Sequence, residues 1–300
     1  MIQPRSKQQP MMNRRTFLKR SSWAAFSFLA ACAVPFYSYF AEPRWVETIE
    51  IELSFPRLPS AFDGMRILQF SDVHYGFFYD TANLGKLISM INALKPDIIM
   101  FTGDFFDEKV EPYVKECIEA LTHLSAAPLG MYAVMGNHDY YSGYKNSAHV
   151  VEVYEKGGFK VLRNQSIKIK HNGKSIQIAG VDDMFYGKPN IKQTFQKADP
   201  NLFTIFLAHE PEFADYVIDF PIDLQLSGHT HGGQIRLPLI GAVITPPGGK
   251  SYVNGLHTLE HPTGRRMIYT NKGIGTAHIP VRFLCRPEIT VFTMRSIQHD

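Results

Sequence analysis

Short apolar runs recur along the chain, and each ends in a cluster of polar residues. Met65–Phe70 leads into Ser71-Asp72-Val73-His74, Ile98–Phe101 into Thr102-Gly103-Asp104, and Met131–Met135 into Gly136-Asn137-His138-Asp139. Leu202–Ala208 leads into His209-Glu210-Pro211, and Leu224–Leu226 into Ser227-Gly228-His229-Thr230-His231-Gly232. Runs of this kind predict buried strands. Between the first few, apolar positions recur at helical spacing over Leu84–Leu94, Val114–Leu124 and Val150–Lys156. From Trp45 to Leu53 apolar and polar residues alternate, which predicts an edge strand. Asn172-Gly173 between two alternating runs predicts a type I′ hairpin, hence an antiparallel pair in a second sheet. Strand and helix alternate, so the expected fold is an α/β sandwich. No repeat is present and no linker follows Arg44, so the body, 44–300, is expected to be one domain.

Residues 1–43 read differently, as a leader. Arg5, Lys7, Arg14, Arg15, Lys19 and Arg20 precede an uncharged run of 21 residues, Ser21 to Ala41. Such a run is long enough to span a bilayer, although Pro35 counts against a regular helix. Arg14-Arg15-Thr16-Phe17-Leu18-Lys19 is either an ordinary positive flank or a twin-arginine export signal, whose consensus it resembles. Leu29-Ala30-Ala31-Cys32 matches a lipoprotein cleavage box, with Cys32 as the lipidated residue, or matches it by chance in an Ala-rich segment. Either way the segment predicts membrane association.

The leader also explains the charge. The net charge of +3 hides a first stretch, residues 1–41, of +6 with no acid; the remaining 259 residues hold 25 basic and 28 acidic side chains. A slightly acidic body argues against nucleic acid as a partner. Beyond Cys32 only Cys117 and Cys285 remain, which excludes a disulfide scaffold and a Cys-rich zinc site.

Five strand ends deliver Asp, His or Asn at the carboxyl edge, where open α/β sheets form their ligand crevices. Singly, each motif is weak; an ordered set of five is not a chance outcome. Carboxylate, imidazole and amide oxygen without thiolate suit manganese, zinc or iron. Seven such donors exceed what one ion with an open position takes, and suit two ions sharing a carboxylate, a device used to split phosphate esters. Gly103, Gly136 and Gly228 precede these donors at tight turns.

Asp72-x-His74, Gly103-Asp104, Gly136-Asn137-His138-Asp139, His209 and Gly228-His229-x-His231 resemble, in order, the five-block signature of calcineurin-like metallophosphoesterases. His209-Glu210-Pro211, the run from Gly228 to Gln234, and Thr245-Pro246-Pro247 are similar to the YkuE/YaeI-type branch, whose members carry a twin-arginine leader or membrane anchor. The resemblance implies a four-layer α/β/β/α sandwich of two mixed sheets. It implies that Asp72, His74 and His231 bind one metal, that Asn137, His209 and His229 bind the other, and that Asp104 bridges them. A hydroxide held between the ions would attack phosphorus in line, with His138 facing the leaving oxygen. Asp139 would orient His138, or merely cap a turn. Asp107 stands where purple acid phosphatases have a ligating Tyr, and would hydrogen-bond a ligand or cap the next helix.

The implied activity is hydrolysis of a phosphomono- or phosphodiester at the extracytoplasmic face of a bacterial cytoplasmic membrane or in the cell wall, after passage through the twin-arginine machinery. Alternatives are a UDP-2,3-diacylglucosamine-type pyrophosphate hydrolase acting on a lipid-linked substrate, and a catalytically weak metal-binding surface protein. Tyr140-Tyr141, Phe77-Phe78-Tyr79 and the Thr245–Gly255 loop follow or flank these blocks, as a cleft rim or as plain packing. His123, His149, His171, His257, His261, His278 and His299 lie outside every block and read as surface or loop residues.

Overall fold

All five polar-ended runs are strands in the computed structural model, which describes residues 13–141, 143, 147–261 and 264–297. Arg5, Lys7 and His299 lie outside the described residues. The first half of the body contributes β1 (Glu47–Phe55), β2 (Arg66–Phe70), β3 (Ile98–Phe101), β4 (Met131–Ala133) and β5 (Lys160–Val161). Then come β6 (Gln165–His171), β7 (Lys174–Gly180), β8 (Thr204–Leu207) and β9 (Leu224–Ser227). A two-stranded hairpin, β10 (Arg236–Leu237) and β11 (Gly241–Ala242), precedes β12 (Gly255–His261), β13 (Gly264–Thr270) and β14 (Glu288–Ser296).

Two mixed six-stranded sheets result. The first runs β1-β14-β2-β3-β4-β5 and the second β12-β13-β9-β8-β7-β6. The alternating segment after Trp45 is indeed at an edge, pairing in parallel with β14 from Glu47↔Glu288 to Phe55↔Ser296. The β6–β7 pair is antiparallel and closes through Asn172 (φ 46°) and Gly173 (φ 75°), the left-handed pair that a type I′ turn requires.

Alternation within the strands divides the core into three layers. Leu68, Phe70, Ile99 and Phe101 face the helices α2 (Thr81–Leu94), α3 (Val114–Leu121) and α4 (Ser147–Lys156). Ile67, Ile98 and Met100 point the other way and meet Ile176, Ile178, Ile205, Leu207, Leu224 and Leu226 between the sheets. Ala179 and Phe206 on the far face of the second sheet pack against Phe195 and Phe213 of the short helices α5 (Ile191–Phe195) and α6 (Phe213–Tyr216). Helices therefore cover both outer faces, giving the four-layer α/β/β/α sandwich. Because β3, β4 and β8 are buried on both sides, they carry near-continuous apolar runs rather than alternation.

Ahead of the sheets stands α1 (Arg14–Phe36), 23 residues or about 34 Å long at 1.5 Å per residue, N-capped by the Asn13 side chain accepting from Thr16 N at 2.8 Å. Pro35 lies in its last turn, and the chain continues through a wider turn, Tyr37–Ala41. The helix is long and apolar enough to cross a membrane by length and composition, and its side chains are mostly exposed. The chain just beyond its exposed end enters the body. Ser38 and Glu42 are buried: the Ser38 carbonyl accepts from Arg282 N at 2.9 Å, and the Glu42 carboxylate accepts from Cys285 N at 2.5 Å. Cys117 and Cys285 are both buried and unpaired.

Candidate metal centre

The seven donors singled out in the sequence converge on one pocket. Asp72 and His74 follow β2, Asp104 follows β3 and Asn137 follows β4, while His209 follows β8, and His229 and His231 follow β9. All seven are buried. Strands from both sheets thus end at the same place, with Asp72 accepting from His229 N through both carboxylate oxygens at 3.0 and 3.1 Å.

Asp104 sits at the centre. Its Oδ1 accepts from His138 N at 2.8 Å, while Oδ2 lies 3.1 Å from His209 Nε2 and 3.8 Å from His74 Nε2. Two donor groups flank it: Asp72, His74 and His231 on one side, and His209 and His229 on the other; the donor atoms of the first group, and those of the second together with Asp104, lie within 4.8 Å of one another. Asn137 joins the second group, its Oδ1 2.9 Å from His229 Nδ1.

Outer contacts fix which ring nitrogens are left to face inward. His209 Nδ1 donates to the Thr102 carbonyl at 2.6 Å, leaving a fully buried Nε2 with no hydrogen-bond partner. His74 Nδ1 donates to Asp107 at 2.9 Å, so its Nε2 presents a lone pair to His231 Nε2 3.0 Å away. His229 meets two acceptor oxygens, Asn137 Oδ1 and the Pro247 carbonyl at 2.7 Å, yet a neutral ring carries one proton. One of those contacts therefore sets lone pair against lone pair. Cations between these atoms would resolve each conflict, so the donor set fits divalent ions in chemistry and in arrangement.

Charge in the pocket is strongly coupled. Burial pushes the Asp72 carboxyl up to about 7, and neighbouring Asp104 adds to the effect. Burial would raise Asp104 as well, but His209, His138 and His74 hold it far below the usual carboxylate range. Burial opposes protonation of His209, yet the carboxylates of Asp104 and Asp72 hold it well above the usual imidazole range. Burial and the adjoining His209 lower His229 to about 3. Burial, His74 and Arg282 together depress His231, and burial depresses His74. A central anion draws positive charge onto His209, while His74, His229 and His231 resist protonation and keep lone pairs for a cation.

The backbone is strained where the donors sit. Asp72 (φ 52°), His74 (49°), Asp104 (59°), His229 (70°) and His231 (50°) are left-handed, five of the seven. Non-glycine residues adopt such angles uncommonly, and the cost concentrates at functional sites. Gly103, at φ 97°, supplies the turn before Asp104. Gly228 is needed for a different reason: a Cβ there would overlap Ser71 Oγ and Asp72 Oδ2. Gly228→Ala is expected to weaken metal binding about 10- to 100-fold by displacing Asp72, a loss that metal titration of the variant would measure.

His138 is in the pocket wall. Its Nδ1 donates to the Asp107 carbonyl at 2.8 Å, and its ring lies 4.1 Å from that of Tyr141 and 4.5 Å from that of His74. Asp139 does not orient it. The Asp139 carboxylate is taken up by four other donors, the backbone N–H groups of Asp104, Phe105 and Gly136 and the Tyr154 hydroxyl, at 2.7–3.1 Å. Asp139 thus ties the loops after β3 and β4 together, because the tight turn His138–Tyr140 sends adjacent side chains in different directions. Asp107 takes the orienting role instead, touching both His74 and His138.

A cleft of about 570 Å³ opens over the donors, walled by Tyr141, Phe185, Tyr186, Ile235, Val243 and Ile244 together with Thr245-Pro246-Pro247 and the loop 277–279. His278, which its sequence context placed on the surface, is part of that wall, its ring 6.2 Å from His138. Phe77, Phe78 and Tyr79 line a different groove, beside the end of α1. Arg282 was not foreseen at all: fully buried, it donates to the carbonyls of Lys272, Gly273, Gly275 and Cys285 and stands 3.3 Å from His231 Nδ1. A lone Arg in a loop gives no periodic or motif signal that could have marked it.

A family model described as calcineurin-like phosphoesterase matches residues 65–233. The Bacillus subtilis (strain 168) metallophosphoesterase YkuE is 40% identical over 292 residues, covering 95% of this chain and 98% of its own. The Escherichia coli (strain K12) phosphodiesterase YaeI is 32% identical over 285 residues, covering 95% of this chain and all of its own. The UDP-2,3-diacylglucosamine pyrophosphatase LpxG of Chlamydia trachomatis is 29% identical, covering 83% of this chain and 89% of its own.

Proposed function

Because the chain belongs to the calcineurin-like phosphoesterase family and is a hydrolase of phosphoric ester bonds, we propose that it cleaves a phosphomono- or phosphodiester at the outer face of the cytoplasmic membrane. The observation that carries the site assignment is the convergence of seven buried donors from five loops around Asp104 Oδ2. Asp72, His74 and His231 would hold one divalent ion, Asn137, His209 and His229 another, with Asp104 shared. Ions so held, whether manganese, zinc or iron, would supply Lewis-acid polarisation of the phosphate and of the attacking water.

The chain's own groups do the rest. His138, its Nδ1 fixed by the Asp107 carbonyl, presents Nε2 to the cleft, where it can stabilise or protonate a leaving oxygen. Tyr141 packs on the His138 ring and narrows the angles open to it. Arg282 holds four backbone carbonyls behind His231 and so keeps the loops of the second sheet in place. Residues 1–43 act as leader and anchor, with α1 crossing the membrane behind the paired Arg14-Arg15, and 44–300 form the catalytic domain.

A second reading, hydrolysis of a lipid-linked pyrophosphate, is favoured by the apolar wall of the cleft, Ile235, Val243, Ile244 and Ile279. Turnover of a lipid-linked pyrophosphate against a soluble diester separates the two.

The test is elemental analysis coupled to a phosphoester panel. Two divalent ions per chain are expected, and chelation should abolish turnover of a soluble aryl phosphodiester until metal is restored. His138→Ala should lower kcat about 10²- to 10⁴-fold without loss of metal. Metal-replete protein inert on mono-, di- and pyrophosphates would instead favour a metal-binding surface protein.

A further inference from the structure

Beyond the cleft, the β10–β11 hairpin carries its apolar residues outward. Leu239 is fully exposed, Ile240 is 72% exposed and Ile244 77% exposed, with Leu237, Val243, Ile279 and Leu284 also substantially in the open. Such a contiguous patch on a monomer marks an interaction surface rather than scattered exposure.

Its position says with what. The hairpin is joined to the end of α1 through a single short segment: Arg282 N donates to the Ser38 carbonyl at 2.9 Å, while Phe283 N donates to Gln234 O and Arg236 N to Phe283 O at 3.0 and 2.9 Å. The Gln234 side chain then bonds the backbone of Ala277 and Ile279. Loop 275–280 is a shared wall, with Gly275, Thr276 and Pro280 facing the groove beside α1 and Ala277, His278 and Ile279 facing the metal cleft. The apolar helix, the hairpin and the cleft mouth therefore lie on one continuous side of the molecule.

Aromatic and cationic residues gather where the helix meets the body. Trp45, half exposed, lies under the Arg286 guanidinium at 3.5 Å, and Tyr39, Arg44, Phe78 and Lys86 line the adjoining groove. Amphipathic rings and cations are the residues that settle at a headgroup layer, the cations complementing anionic lipids.

We propose that the 236–244 hairpin, with Ile279 and Leu284 beside it, dips into the same bilayer leaflet that α1 leaves, seating the mouth of the metal cleft among the lipid headgroups. The apolar tip would enter the headgroup–acyl boundary to about 5–10 Å, as interfacial apolar faces do. The occupant of the patch is thus a lipid surface, and substrates reach the cleft from the plane of the membrane. This inference rests on the reading of α1 as a membrane anchor.

The full chain carrying Cys32→Ser and Leu239→Cys, labelled at residue 239 with an environment-sensitive fluorophore, is reconstituted into vesicles of phosphatidylethanolamine and phosphatidylglycerol. Lys174→Cys, in the exposed β6–β7 turn at the strand ends away from the cleft, gives the control position. Shallow doxyl lipid is expected to quench the probe at 239 by about twofold or more, with iodide ineffective, and the probe at 174 is expected to behave the opposite way. A probe at 239 as open to iodide as that at 174, in protein that resists carbonate extraction, overturns the inference alone. Extraction of the chain by carbonate overturns the anchor reading and the inference with it. Neither result bears on turnover of a soluble aryl phosphodiester, which reports separately on the phosphoesterase reading.

Discussion

Asp104→Asn is expected to lower kcat/KM on a soluble aryl phosphodiester by about 10³-fold or more while the protein stays folded. The amide keeps the size of the carboxylate, and its oxygen can still accept from His138 N, which Asp104 Oδ1 does now at 2.8 Å. What it cannot reproduce is Oδ2, placed 3.1 Å from His209 Nε2 and 3.8 Å from His74 Nε2 between the two donor groups. An NH₂ there points donors at a space built for cations and removes the anion that His209 and His74 share. Rate measurements alongside metal content and far-UV circular dichroism check the outcome. A folded variant with full activity would remove Asp104 from the site and take the two-ion arrangement with it.

Asp139→Ala should act on the fold rather than on the chemistry, with a cost of about 3–5 kcal/mol. The substitution strands three buried backbone N–H groups, of Asp104, Phe105 and Gly136, and the buried Tyr154 hydroxyl. Tyr154→Phe removes one of these bonds and leaves the other three, so its cost is about 1 kcal/mol. Urea midpoints of the two variants, compared at equal metal loading, test the ordering. Equal stability of Asp139→Ala and the parent would mean that the bracket carries no load.

The contrast between Asp104 and Asp139 shows what a linear sequence discloses. Donors at strand ends were legible because buried parallel strands leave unbroken apolar runs, and a polar cluster at the end of each has a simple reading. Asp72, Asp104, Asn137 and His229 each stand one to four residues past such a run. The turn at Asn172-Gly173 and the edge strand from Glu47 were equally open, since each depends on local geometry alone. For Asp139 two readings stand open in the sequence, orienting His138 or capping a turn, because adjacency does not say where a side chain points. The tight turn sends its carboxylate to backbone N–H groups instead of to His138. The place of Arg282 beside His231 depends on a contact across 51 residues, and Tyr154 as the partner of Asp139 on one across 15 that crosses from one loop to a helix. The pairing of β14 with β1, from Glu288 to Glu47 and onward, spans nearly the whole chain and leaves no periodic trace. His278 reached the cleft wall by the same kind of long return.

The burial of Ser38 and Glu42 decides where a soluble fragment can begin. A cut at Trp45, where the alternating strand pattern starts, would discard the carbonyl that Arg282 N uses and the carboxylate that caps Cys285 N. Those losses fall on the stretch that backs His231, so a catalytic body trimmed there starts with its floor unfastened. The natural scissors point lies upstream of Tyr37, inside the apolar helix itself.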